Sequence, residues 1–260
     1  MKIVRTIDEV RPLARGKVGL VPTMGALHEG HVSLFRAARR ENELVVASLF
    51  VNAAQFGDGA DLDAYPHDEA ADARTAERAG VDVLFAPSAE EMYPAGFGTW
   101  VDVADTGAEG AARPGHFRGV ATVCLKLFTI VRPRRAYFGQ KDAHQAAVIR
   151  RLVRDLNLEV EIRVLPTVRD TDGLALSSRN VRLSADERAR ALALPRALAQ
   201  GAAGYRAGDD PVAAARAAFN GLIPDYVEVL QLDDATLLAA AARVGDTRLI
   251  DNVILEGELT

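Results

Sequence analysis

The sequence predicts an α/β protein built on a buried parallel sheet, with a second, smaller α/β unit towards its C-terminal end. Three observations carry that expectation. Short runs rich in Val, Leu and Ile alternate with stretches of helical periodicity, as in successive βαβ units. The texture changes after Asp172-Gly173 to alanine- and arginine-rich helical stretches. The chain has 260 residues, 49% of them hydrophobic and 26% charged, which is enough for a sizeable core and far from the composition of disorder.

Taken in order, strands are expected at 19–22, 44–51, 81–86, 135–138 and 159–165. Helices fit between them at 31–41, at 68–79 closing before Gly80, at 119–131 closing before Pro133, and at 142–156. The later part reads as helices at 185–203 and 211–220, then strand-like runs at 225–232 and 247–255. A division near Val168 follows, giving residues 1–167 and 168–260, with 170–183 at the junction, where ligand clefts often form. No repeat of solenoid length is present.

A formal net charge of −5 argues against a broad attraction to nucleic acid or anionic membranes, so any polyanion bound is expected to be small. The start lacks the apolar core of a secretory signal, and no run is long enough to span a bilayer. A cytoplasmic location is expected. Cys124, the single cysteine, lies in an apolar stretch and reads as a buried structural thiol.

Five stretches carry the chemistry. In the first, Met24-Gly25-Ala26-Leu27-His28-Glu29-Gly30-His31 follows a strand and leads into a helix. Such a turn faces the ligand crevice of a parallel sheet, and unpaired N–H groups at the helix start favour phosphate. Two imidazoles there can donate hydrogen bonds to a phosphoryl group as charge builds. A surface turn or a metal pair are the alternatives, although neither a Cys nor a third His stands close by to complete a zinc site. The second stretch places Asn52 and Gln55 just after another strand, where amides hold hydroxyl or carboxylate groups, or simply cap a loop.

The third stretch, Arg113-Pro114-Gly115-His116-Phe117-Arg118-Gly119-Val120, is a compact basic loop leading into a helix that suits either an anion pocket or solvent. In the fourth, Gly139-Gln140-Lys141-Asp142 again joins strand to helix, with Gln145 beyond it. Gly139 permits close approach, Lys141 offers an ammonium to phosphate, and Asp142 can cap the helix or bind a ribose hydroxyl. The fifth, Leu176-Ser177-Ser178-Arg179, brings two hydroxyls and a guanidinium to the junction, to close over a triphosphate or to form a capping turn.

In this order and spacing the five stretches resemble the pantothenate synthetase, or pantoate–β-alanine ligase, family over essentially the whole chain. Matching text includes the segments beginning Asp61-Leu62-Asp63-Ala64-Tyr65, Gly80-Val81-Asp82 and Glu90-Glu91-Met92-Tyr93. The resemblance implies a Rossmann-like doubly wound sheet of the H-x-G-H nucleotidyltransferase superfamily. It implies that ATP and pantoate give pantoyl adenylate and pyrophosphate, and that β-alanine then yields pantothenate and AMP.

By motif position, Met24 to His31 would border ATP, with His28 and His31 on phosphate and His31 suited to donate a proton. Gln55 and Gln145 would hold pantoate, Asn52 would support that wall, and Gln55 would also lie near β-alanine. Gly139, Gln140, Lys141 and Asp142 would contact the nucleotide, Val168 would meet adenine through its backbone, and Leu176 to Arg179 would form the closing phosphate loop. Mg2+ with ATP and a homodimer are implied too, with no protein ligand to the ion named. Three departures stand out: Asn52-Ala53-Ala54-Gln55-Phe56 replaces an expected Asn-Pro-Thr-Gln-Phe, Gln140 replaces an acid, and His144 replaces a glutamine. The alternatives are another H-x-G-H adenylyltransferase acting on a phosphorylated cofactor, and a catalytically silent nucleotide-binding module.

Overall fold

The computed structural model of the chain describes every residue except 58–61, 64, 105, 233 and 260. Its first part alternates as expected: β1 (Lys2–Val4), α1 (Ile7–Val10), β2 (Val18–Thr23), α2 (Glu29–Glu41), β3 (Leu44–Leu49), α3 (Glu69–Arg78), β4 (Val83–Phe85), α4 (Ala89–Met92), α5 (Gly107–Ala112), α6 (His116–Val131), β5 (Arg135–Gly139), α7 (Ala143–Asp155) and β6 (Glu161–Leu165). Strand β1 goes beyond the expectation. Three residues are too few for a periodic signal, and only pairing with β4 makes them a strand.

Six parallel strands form one sheet in the order β1-β4-β3-β2-β5-β6. Successive side chains point to opposite faces, so Val18 and Leu20 pack under α6 and α7 while Val21, Val45 and Ala47 pack under α2 and α3. Both faces are covered, which is why these runs read as continuously apolar. The order reverses at β2, with the chain moving outward through β3 and β4 on one side and through β5 and β6 on the other. That is the doubly wound arrangement, whose crevice opens at the carboxyl ends beside the switch point. Here β2 and β5 pair only through Gly19 with Arg135 and Leu20 with Ala136. Beyond those pairs the two strands separate, leaving room between Thr23 and Gly139.

The later part contains α8 (Ala185–Ala191), α9 (Ala193–Ala207) and α10 (Pro211–Ala217), then β7 (Pro224–Leu232), β8 (Ala235–Val244) and β9 (Thr247–Glu256) in an antiparallel sheet of order β7-β8-β9. Two expectations are corrected here. The helix expected over 185–203 is two helices, because Pro195 in the first turn of α9 cannot donate to the Ala191 carbonyl. The central strand β8 escapes the sequence reading because Ala-Ala-Ala-Ala favours helix in isolation. Burial on both faces overrides that preference: Leu238, Ala240 and Ala242 pack against the C-terminal helices, while Ala239 and Ala241 turn the other way to Tyr226. Gly201 of α9 approaches so closely that a Cβ there would stand 2.3 Å from Leu238.

We retain the division at Val168 as a proposal. Leu174 joins the C-terminal core, yet Leu232, Ala235 and Leu237 sit in the main one, so the units share packing. Ion pairs bind them further. Arg248 donates to both oxygens of Glu109 at 2.8 and 2.7 Å and to Asp225 at 2.7 Å. Burial opposes ionisation of Glu109, but the guanidinium outweighs it and holds the carboxyl at about 2. His144 Nε2 lies 2.6 Å from Glu228 Oε1, also across the junction.

Candidate active site

The switch-point crevice is a cavity of about 200 Å³ lined by residues from all five expected stretches, the basic loop contributing only its last residue, Val120. Its polar wall includes His28, His31, Asn52, Gln55, Lys141, Asp142, Gln145, Ser177, Ser178 and Arg179, with Met24, Gly30, Gly139, Val168 and Leu176 beside them. Phe50, Val120, Val123, Cys124 and Leu127 form an apolar side. Burial pushes the Cys124 thiol up to about 12, so it packs as a neutral group.

The spacing of the histidine motif has a local cause. His28 is the N-cap of α2 in extended conformation, and its Nδ1 accepts from the Gly30 N–H at 3.1 Å. His31 Nδ1 accepts in return from the His28 N–H at 3.3 Å. The two histidines therefore form a reciprocal capping box, with ring centroids 4.2 Å apart. Gly30 serves this by lacking a side chain, since a Cβ would lie 2.8 Å from the His28 ring. With both Nδ1 atoms accepting, each ring is a neutral tautomer whose proton sits on Nε2. Burial, together with Lys141, pushes His28 down to about 4, and burial, His28 and Lys141 push His31 to about 3. The motif thus presents two Nε2–H donors.

Two backbone N–H groups of this turn, ahead of the helix start, are engaged within the protein. Asp72, on α3 and 5% exposed, accepts from Ala26 N at 2.9 Å and Leu27 N at 2.8 Å. Gly25 and Ala26 both adopt positive φ, 89° and 51°, to present those groups to it. Gly25, Ala26, Leu27 and Glu29 accordingly stand off the cavity wall, although all were expected at ATP.

Asn52 and Gln55 flank a 3₁₀ turn, Ala53–Gln55, which forms without the expected proline. Asn52 does not cap it. Its Nδ2 donates to Gln55 Oε1 at 2.9 Å and to the Gly119 carbonyl at 3.1 Å, and its Oδ1 accepts from Tyr93 Oη at 2.8 Å. Gln55, held through Oε1, lines the cavity. The basic loop props this wall from behind, and Arg113, Pro114 and His116 also line an adjoining pocket with Lys141, Asp142, Ser177 and Arg179. His116 lies 2.8 Å from the Gln55 carbonyl through Nδ1 and 3.0 Å from Arg113 Nη1 through Nε2, while Arg118 pairs with Asp102 and covers Trp100. Gly119 lets α6 come close, for a Cβ there would stand 2.3 Å from the Ala54 carbonyl oxygen.

Asp142 makes no side-chain cap to α7, so the capping alternative does not hold. Its Oδ1 accepts from Lys141 Nζ at 3.2 Å at the cavity edge. Gln140, expected on the nucleotide, is buried and directs Nε2 to Asn252 Oδ1 at 3.0 Å on the other unit. Ser177 does cap its own turn through the Arg179 N–H at 3.3 Å, and Ser178 Oγ donates to Tyr65 Oη at 3.3 Å, tying the closing loop to the opposite wall. Within the segment starting at Asp61, Asp61 and Ala64 lie outside the described residues. Sequence reasoning did not single out Asp72 or Asn252 as parts of the site. Asp72 carries no local signal, since it reads as an ordinary acidic residue in a helix first turn.

Among the described residues no cluster of His, Cys, Asp and Glu offers a metal site, and no helix is long and apolar enough to cross a membrane. Comparison with known proteins agrees with the geometry. The family model described as Pantoate-beta-alanine ligase matches residues 2–254. The chain is 53% identical to a pantothenate synthetase of Roseiflexus castenholzii, over 98% of this chain and 100% of the relative, and 51% identical to that of Moorella thermoacetica, over 98% and 99%. Among solved structures it superposes on pantothenate synthetase from Thermus thermophilus with a TM-score of 0.94 at 45% identity, covering 99% and 100% of the two chains. It also matches a pantoate-beta-alanine ligase from Francisella tularensis, complexed with beta-gamma ATP and beta-alanine, with a TM-score of 0.84 at 35% identity and 99% coverage of both. A shared sheet, a cavity assembled from the same ordered motifs and full-length identity near one half together place this chain in the pantoate–β-alanine ligase family.

Proposed function

We propose that the chain condenses pantoate with β-alanine at the expense of ATP, releasing AMP and pyrophosphate through a pantoyl adenylate. The observation that carries this reading is the meeting of three donor sets in one cavity: Nε2–H of His28 and His31, the Lys141 and Ser177–Arg179 cations and hydroxyls, and the amide wall of Asn52, Gln55 and Gln145. The first two suit phosphate and the third suits a small hydroxy acid.

In the first step a pantoate carboxylate oxygen attacks the α-phosphorus and the bond to pyrophosphate breaks. Lys141 and Arg179 offset the growing charge, while the neutral imidazoles donate hydrogen bonds without losing a proton. Gln55 and Gln145 hold the acid in line, and Asn52 keeps Gln55 facing it. In the second step the β-alanine amine, near Gln55, attacks the anhydride carbonyl and AMP departs. Asp142 is placed for a ribose hydroxyl and the Val168 backbone for adenine. Magnesium would enter with the nucleotide as part of the substrate and would offset phosphate charge. A homodimer in the cytoplasm remains our expectation, which sedimentation tests for the assembly.

Mass-spectrometric identification of the products from ATP, pantoate and β-alanine decides the matter. Pantothenate and AMP in equal amounts are expected. A dinucleotide product without AMP would favour a different adenylyltransferase, and failure of pantoate-dependent exchange of labelled pyrophosphate into ATP would favour a silent binding module.

A further inference from the structure

Strand β9 reaches the main unit with two adjacent residues, Asp251 and Asn252, which are 2% and 1% exposed. Asn252 Nδ2 donates to the carbonyl oxygens of Gln140 at 2.8 Å and Lys141 at 3.0 Å, and its Oδ1 accepts from Gln140 Nε2 at 3.0 Å. Asp251 receives both terminal nitrogens of Arg169, at 2.7 and 3.0 Å, and Arg169 also donates to the Asn252 carbonyl at 3.2 Å. The two segments gripped in this way are those that bring Lys141, Asp142 and Val168 to the cavity wall.

We infer that Asn252, braced by Asp251 and Arg169, is a positioning residue for the nucleotide half of the site, so that the C-terminal sheet sets where Lys141 stands. The inference rests on the functional reading above, in which Lys141 meets phosphate. The chemistry of the contact explains the residue type. Two carbonyl oxygens and one amide N–H face position 252, and a primary carboxamide supplies the two N–H groups and the oxygen they require. A carboxylate of the same size would set an anion against both carbonyls. The reach of the Lys141 ammonium begins at its own backbone, and a displacement of about 1 Å at such a group is enough to cost about 100-fold in rate.

Asn252→Asp tests this in the full-length protein, with folding checked by thermal midpoint. Dissociation constants are measured by calorimetry for a non-hydrolysable ATP analogue and for pantoate, alongside steady-state KM values. The expected result is a loss of about tenfold or more in affinity for the analogue, with pantoate binding kept within about threefold and kcat lowered. A folded variant whose analogue affinity stays within about twofold overturns the inference, and so does an equal loss for both ligands, which marks a general structural role. If that variant does not fold, Arg169→Lys takes its place, because it replaces the bidentate grip by a point charge while leaving Asn252 intact; the same ATP-selective loss is expected and the same results overturn it. A parent protein that binds no ATP analogue would refute the functional reading itself, a different outcome from a parent that binds and a variant that matches it.

Discussion

Replacing Asp72 should loosen the turn that carries His28 and His31, although Asp72 lines no part of the cavity. Its carboxylate takes two N–H donors at 2.8 and 2.9 Å and is 5% exposed. Hydrogen bonds to a charged group contribute about 1.5 to 3 kcal/mol each, and the Ala26 and Leu27 donors would lose that partner together. Part of this returns when water reaches the half-buried turn, so Asp72→Ala is expected to cost about 2 to 4 kcal/mol. At about 2 to 4 °C per kcal/mol for a chain of this size, the midpoint should fall by about 5 to 15 °C. Asp72→Asn keeps one acceptor and sets its NH2 against the other donor, so it should lose about half as much or more. Ala26, held at φ 51°, would then relax from its left-handed conformation and carry the histidine cap with it. The assays are urea and thermal melts at pH 7 with kcat measured well below the new midpoint. An Asp72→Ala protein that melts within about 1 °C of the parent and turns over equally fast refutes this account of the turn.

Lys141→Ala should lower kcat/KM by about 100-fold or more while the midpoint moves by only a degree or two, because its ammonium bonds the neighbouring, half-buried Asp142 carboxylate at the cavity edge; equal losses in both would mark it as structural. His31→Ala should behave likewise but with a further stability loss of about 1 kcal/mol, since the ring also closes the cap of α2. Acid should destabilise the fold early. His116, 7% exposed, is held neutral by burial and by Arg113 with its value pushed from 6.5 to about 4. The unfolded chain therefore binds the extra proton between those values, and stability present above pH 6.5 is lost as pH falls towards 4, by on the order of 3 kcal/mol from this residue; melts of His116→Asn across that range should show a shallower decline. Gly119→Ala should raise the KM for pantoate and cost about 1 to 3 kcal/mol, because its Cβ meets the Ala54 carbonyl and Gln55 nitrogen, which are backbone atoms with little freedom to move; unchanged kinetics would show that the wall adapts.

What could be read in advance divides along a physical line. The sheet was legible because apolar runs between helical stretches leave few topologies, and a parallel sheet brings every strand's carboxyl end to one edge. Residues just after strands, such as His28, Asn52 and Lys141, therefore had to converge. The strand Ala235–Val244 was not legible, since its composition favours helix and only neighbours distant in sequence bury it. Asp72 and Asn252 were hidden for a similar reason: each meets its partners across 45 residues or more, with nothing nearby to mark it. The protonation of the histidines depends on burial, which spacing does not report. Gln140 and His144, two of the departures from the family pattern, both face the C-terminal unit, so their setting is the junction and not the nucleotide.

The carboxylate beneath the histidine turn also bears on how the site meets its ligand. In phosphate-cradling loops the arriving anion completes the hydrogen bonds of the backbone, and the loop is fully satisfied only when occupied. Here Asp72 is a built-in anion that never leaves. The turn reaches its final shape during folding, before any nucleotide binds, and the ordering entropy of the loop is not charged against affinity. The Ala26 and Leu27 N–H groups are then no vacant nest for inorganic phosphate or sulfate. The side chains that line the cavity can be exchanged one at a time without remaking the loop.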